Sequence, residues 1–301
     1  MKVLITGGSG LLGSAVSLYF KDYFDVVSTY TSNKIEITGC KTAYLDVRNI
    51  KDTQSFVQKL KPDFVVHAAA LVGVGICEKQ KELAYNVNVQ GTKNITESCK
   101  KIKSKIIYIS TDYIFDGKKG MYDEADRPSP INFYGETKLK GEESVDTENN
   151  IIVRTSIHGW NIIPDKKSFS SWIIDDLTSS KKINCFTDQI SSMMLVNNCA
   201  EALKELIEKE KTGIYNIASP QPISKYDFAL NVAETFNLDK SLIFPVKNQD
   251  VNGHEKRPFD TSLDITKSRK ELKTKIPNAK ESLQKMKELK ESNYLKNFRV
   301  I

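Results

Sequence analysis

Apolar residues in the first half of the chain fall into short, nearly continuous runs rich in β-branched side chains. These are KVLIT at 2–6, VVST at 26–29, TAYLD at 42–46, FVVH at 64–67, KIIYIS at 105–110 and IIVRT at 151–155. Runs that are apolar at successive positions predict strands buried on both faces. Between them apolar positions recur at helical spacing, predicting helices over 11–20, 53–60, 79–101 and 134–143. Strand and helix in alternation form the doubly wound α/β pattern, with a parallel sheet covered on both faces.

Beyond Thr155 the alternation becomes irregular. A helix is predicted near 169–179, a strand near 193–196, and then a helix with Ala200, Leu203, Leu206 and Ile207 on one stripe, capped by Asn197 or Asn198. Ser224 and Asp227 form a capping arrangement for a helix running to about 236, and the remainder to 301 reads as helices and loops. The pattern divides the chain at 156. The first part holds the sheet, rejoined by a strand and helix near 193–218, and residues 157–301 form mainly a smaller C-terminal lobe. A ligand is expected in the crevice above the carboxyl ends of the strands.

Composition narrows the class without changing the fold. With 301 residues, 40% hydrophobic and 27% charged, the chain is neither disordered nor fibrous. Mean hydropathy is −0.38 and the longest weakly interrupted apolar stretch, 64–77, is too short to span a bilayer. The first residues lack the pattern of a secretory signal, so a cytoplasmic protein is expected. Five scattered cysteines without a C-x-x-C pair suggest neither a disulfide framework nor a zinc site, and no carboxylate cluster suggests another metal. The net charge of +6 comes from lysines interleaved with acids, which points away from nucleic acid and suits an anionic small molecule.

The chemistry begins directly after the first strand, at Gly7-Gly8-Ser9-Gly10-Leu11-Leu12-Gly13. Glycines there permit a tight turn and close approach of a diphosphate. The helix that follows aims the N–H groups of Leu11, Leu12 and Gly13 and its positive dipole end at the phosphates. The acidic residue that reads a ribose 2′-hydroxyl after the second strand is missing. Thr29-Tyr30-Thr31-Ser32-Asn33-Lys34 stands there instead, so Ser32 and Lys34 are expected to accept a 2′-phosphate and NADPH is the expected cofactor, with NADH admissible.

Tyr134 and Lys138, four apart at the start of a predicted helix, project from one face. Carbonyl reduction leaves an alkoxide that needs a proton, and a tyrosine beside a cation can supply it. Tyr30 and Lys34 have the same spacing but end a strand, so their side chains need not converge. The fifth strand ends in Ser110-Thr111-Asp112, whose Thr111 hydroxyl can orient a carbonyl.

These motifs resemble the extended short-chain dehydrogenases/reductases, most closely the dTDP-4-dehydrorhamnose reductase group. Matching segments include 7–13, 45–47, 62–70, 77–78, 88–92, 110–117 and 134–142, with 154–156, 188–189, 213–216 and 257–258 beyond them. The resemblance implies a Rossmann fold, a triad of Thr111, Tyr134 and Lys138, Asp46 and Val47 beside the adenine, and Ala68, Ala69 and Ala70 along the nicotinamide ribose. It also implies a nucleoside diphosphate sugar in the second lobe, bordered by Thr111, Asp112, Trp160 and Arg257, the last a diphosphate anchor through its fork of donors. A homodimer is compatible with it.

Two segments depart from the group's pattern: Val74-Gly75-Ile76 before Cys77-Glu78, and Ile157-His158-Gly159-Trp160. Both bear on which sugar is bound. The expected activity is NADPH-dependent reduction of a 4-keto-6-deoxy sugar nucleotide. Similar 4,6-dehydratases carry Asp-Glu after the threonine, whereas this chain has Asp112-Tyr113. The alternatives are a 4-epimerase of the same fold and a regulatory subunit like the methionine adenosyltransferase beta subunit.

Overall fold

The computed structural model describes residues 1–248 and 255–301. Its centre is a seven-stranded, all-parallel sheet in the order Gly213–Asn216, Ile151–Arg154, Lys105–Ile109, Phe64–His67, Lys2–Thr6, Asp25–Tyr30, Lys41–Tyr44. Side chains alternate across it, as the pleat requires. Val3, Ile5, Val66, Ile107 and Val153 pack on one face against Leu12, Val16 and Phe20 and against Leu203 and Leu206. Leu4, Val65, Ile106 and Ile152 pack on the other against Val57, Ile95 and Cys99. All six strands predicted up to Thr155 lie in this sheet, and its seventh, Gly213–Asn216, is returned by the second half of the chain.

Helix boundaries follow their caps. The Asn49 side chain accepts from Lys51 N at 3.1 Å and Asp52 N at 3.3 Å, so the helix opens at Ile50 rather than at Thr53. The helix Val196–Glu208, expected to be capped by Asn197 or Asn198, instead begins at Leu195, whose extended backbone (ψ 133°) provides the turn without a side-chain cap. The single helix expected over 79–101 is broken. Val74–Lys79 and Lys81–Tyr85 are followed by a π turn at Asn86–Gln90 and only then by Gly91–Ile102.

The second lobe has its own core of Ile173, Ile174, Phe228, Val232, Leu283 and Met286. The strand Met193–Leu195 pairs there with Ser156–His158 outside the main sheet. The end of the chain, expected to be helix and loop, includes a strand, Phe298–Val300, that crosses back to pair antiparallel with Ile35–Ile37. No helix among the described residues is long and apolar enough to cross a membrane.

Candidate functional site

Two cavities open side by side above the carboxyl ends of the strands. One, of about 410 Å³, is lined by Gly10 to Gly13, Thr111, Tyr134 and Lys138 among others; the second, of about 300 Å³, by Gly7, Ser32, Asp46, Val47 and Arg48 among others. Gly10, Ala68, Ala70 and Lys166 border both, so the pair forms one cleft bent over the glycine turn.

That turn could not be built from other residues. Gly7 has φ +73°, and a Cβ on it would lie 2.7 Å from the Ala69 backbone, while one on Gly13 would lie 2.2 Å from Gly7 O. The helix Leu11–Phe20 starts at Gly10 with no side-chain cap, so its first N–H groups are left for an acceptor in the cleft. A dinucleotide's diphosphate fits that position.

At the larger cavity, Asn132 accepts from Gly135 N at 2.9 Å and Glu78 from Phe133 N at 2.8 Å, fixing the start of the helix Phe133–Glu142. A Cβ on Gly135 would sit 2.1 Å from Tyr113 O. Glycine therefore lets this helix start close on the 111–115 segment, which brings Tyr134 and Thr111 to the wall of one cavity. Thr111 Oγ1 donates to Asp112 Oδ1 at 3.1 Å, and Thr261 Oγ1 donates to Asp112 Oδ2 at 2.6 Å. Burial holds the Asp112 carboxyl above its usual range against those bonds.

Lys138 Nζ donates to Ile109 O at 2.7 Å and stands 4.2 Å from the centre of the Tyr108 ring. Burial pulls its pKa down to about 7, opposed by Glu142 and Cys77. The neighbouring His67 lies 2.7 Å from Thr6 Oγ1 through Nδ1 and is pushed down to about 3 by burial and then by Lys138, so it is neutral. Tyr134 was expected to be acidified by Lys138. Its hydroxyl is instead held above the ordinary 10, because burial outweighs the lowering influence of the nearby Thr111 side chain.

The sequence-predicted residues sort clearly. Gly7, Gly10, Leu11, Leu12, Gly13, Ser32, Asp46, Val47, Ala68, Ala69, Ala70, Thr111, Asp112, Tyr134 and Lys138 all line the cleft. Arg257 lines neither cavity but lies near Tyr113, which lines the larger one and feels its charge. Trp160 lines neither cavity: its Nε1 donates to Met286 O at 2.8 Å and its ring meets Phe236 edge-on, packed against the second lobe's core. Lys34 is exposed and stands outside the smaller cavity, with its carbonyl taken by Ile301 N at 2.9 Å. The cation at that end is Arg48, which the sequence reading missed. Its Nη2 lies 2.6 Å from Asp46 Oδ2 and its Nε 2.9 Å from Asp46 Oδ1. That guanidinium holds the Asp46 carboxyl below the usual range. Proximity to the following strand's end was the available signal.

Solved structures with this architecture include a hypothetical dTDP-4-dehydrorhamnose reductase from Sulfolobus tokodaii, 37% identical over 92% of this chain and 97% of that one, with a TM-score of 0.83. Another is dTDP-4-dehydrorhamnose reductase from Bacillus anthracis in complex with NADP, 28% identical over 95% of this chain and 98% of that one, TM-score 0.84. Among curated relatives, methionine adenosyltransferase 2 subunit beta of Xenopus tropicalis is 29% identical over 89% of this chain and 82% of its own length. Residues 1–291 match the family described as RmlD substrate binding domain, and the chain belongs to that family.

Proposed function

We propose that this protein is an NADPH-dependent reductase of a 4-keto-6-deoxy sugar nucleotide, of the dTDP-4-dehydrorhamnose reductase kind. The observation that carries the reading is the convergence of Thr111, Tyr134 and Lys138 on the cavity that the glycine turn also lines. The first 156 residues, with the strand and helix returned between 193 and 218, serve as the cofactor half, and the rest of 157–301 as the sugar-nucleotide half. The reading takes the protein as cytoplasmic and is compatible with a homodimer.

NADPH, when bound, supplies the hydride. Tyr134 gives the proton to the developing alkoxide, and its burial keeps the hydroxyl protonated until then. Thr111, lining the same cavity as Tyr134, orients the substrate carbonyl. Lys138, fixed by Ile109 O, holds the cofactor ribose and, as an ammonium, favours the tyrosinate left after proton transfer. Ser32, Asn33 and Arg48 receive the adenosine end, where Asp46 is the acidic lining residue and is already paired with Arg48. Arg257, beside Tyr113, anchors the substrate diphosphate.

The test is NADPH oxidation with dTDP-4-keto-6-deoxy-L-mannose. Tyr134→Phe should lower turnover by roughly 10²- to 10⁴-fold while leaving the NADPH dissociation constant within a factor of about two of wild type. Near-normal turnover in that variant would remove Tyr134 from the role of acid. Tight cofactor binding by the wild type without turnover on any 4-keto sugar nucleotide would favour the regulatory-subunit reading suggested by the Xenopus relative.

A further inference from the structure

Four cationic side chains line the two cavities: Lys138, Lys166 and Lys167 in the larger and Arg48, with Lys166 again, in the smaller. Three are committed within the chain. Lys138 is bonded to Ile109 O, Lys167 lies 3.1 Å from Asp175 Oδ2, and Arg48 is forked onto Asp46. Lys166 is exposed and its ammonium has no ion pair or hydrogen bond among the described residues.

Its position is unlike that of an ordinary surface lysine. The residues that border both cavities are Gly10, Ala68, Ala70 and Lys166. A dinucleotide laid along the cleft has its nicotinamide half in one cavity and its adenosine half in the other, so its diphosphate falls where they meet. Gly10 and the uncapped helix behind it contribute only neutral N–H donors there.

The loop that carries Lys166 is held in place at both its base and its middle. Ser168 Oγ donates to Gly159 O at 2.6 Å, closing the loop at its ends, and Ser168 also caps the helix Phe169–Thr178. Lys166 N donates to Ile163 O at 3.0 Å, and Ile162 and Ile163 pack in a small core with Ile35, Ile37 and Phe298.

We infer that Lys166 is the counter-ion of the cofactor diphosphate, facing the glycine turn across it. The inference rests on the dinucleotide-binding reading above and adds a binding residue to it. A lysine is suited to this place because its compact ammonium on a long stem can follow a mobile anion without a fixed fork geometry.

The test is fluorescence and calorimetric titration of wild type, Lys166→Met and Lys166→Arg with NADPH, NADH, ADP-ribose and adenosine 2′-monophosphate, at low and high salt. Lys166→Met should weaken NADPH, NADH and ADP-ribose by the same factor, roughly 5- to 10-fold at low salt, and leave adenosine 2′-monophosphate unchanged. Its loss should shrink at high salt, and Lys166→Arg should restore most of the affinity. The melting temperature should not move, because Lys166 contacts little in the fold. Unchanged ADP-ribose binding would overturn the inference, as would a loss confined to NADPH, which would place Lys166 on the 2′-phosphate. A wild type that bound neither NADPH nor NADH would overturn the dinucleotide reading itself and this inference with it.

Discussion

At the scale of single residues, the site turns on how burial sets two proton equilibria in opposite senses. Burial raises the Tyr134 hydroxyl and lowers the Lys138 ammonium to about 7, since each effect disfavours the charged form. Lys138 therefore changes charge within the working range of an enzyme. If the ammonium form holds the cofactor ribose, then below pH 7 the lysine is already charged and affinity is independent of pH. Above pH 7 a proton must be taken up on binding, and the dissociation constant should rise by up to about 10-fold per pH unit. Titrations of NADPH from pH 6 to pH 9 should show that bend, with proton uptake visible in buffers of different ionisation enthalpy. Lys138→Met should bind more weakly and flatten the curve. A wild-type curve without a bend would mean that the lysine serves equally well uncharged.

At the scale of elements, the most informative feature is the π turn Asn86–Gln90, which interrupts what the sequence pattern presents as one helix. Its extra residue places the Asn88 side chain inside. Asn88 Oδ1 accepts from Leu71 N at 2.8 Å, and its Nδ2 donates to Leu71 O at 3.0 Å and to Thr137 Oγ1 at 3.0 Å. One amide thus ties the segment that follows Ala68–Ala70 to the helix bearing Tyr134 and Lys138. Asn88→Ala leaves buried polar partners unsatisfied, at about 1–3 kcal/mol. Urea unfolding should show that loss, and NADPH should bind more weakly because the Ala68–Leu71 wall is no longer held. Full stability with weakened binding would instead assign Asn88 a contact with the cofactor. A smooth apolar periodicity cannot announce such a turn, since its cause is a hydrogen-bonding demand from a loop 17 residues earlier in the chain.

At the scale of the whole molecule, what was legible in the sequence was local. The inner strands read out because both faces of the sheet are covered there, which makes them nearly continuous apolar runs, whereas the edge strand Lys41–Tyr44 is largely exposed. The glycine turn and the Tyr134–Lys138 pair read out because their geometry is set within a few residues. What was not legible depends on distant partners. Trp160 is claimed by Phe236 and Met286, and Lys34 is exposed, its carbonyl bonded by Ile301 N. The three-residue strand Ile35–Ile37 has too few positions for a pattern and exists through its pairing with Phe298–Val300. That pairing gives the molecule a clasp. Thr38 N donates to Asn297 O at 2.9 Å, and Phe298 packs on the core shared by Ile35, Ile37, Ile162 and Ile163. One segment therefore supports both the Ser32–Asn33 wall of the smaller cavity and the loop that carries Lys166. Removing residues 293–301 should speed amide exchange over 32–37 and 162–166 and weaken NADPH and NADH alike. Turnover at saturating cofactor and substrate should stay near wild type, because Thr111, Tyr134 and Lys138 are positioned by the fifth strand and the helix Phe133–Glu142. A truncated protein whose exchange rises equally along the central sheet would show the clasp to stabilise the whole domain, while unchanged exchange at 32–37 would mean that the short strand holds without its partner.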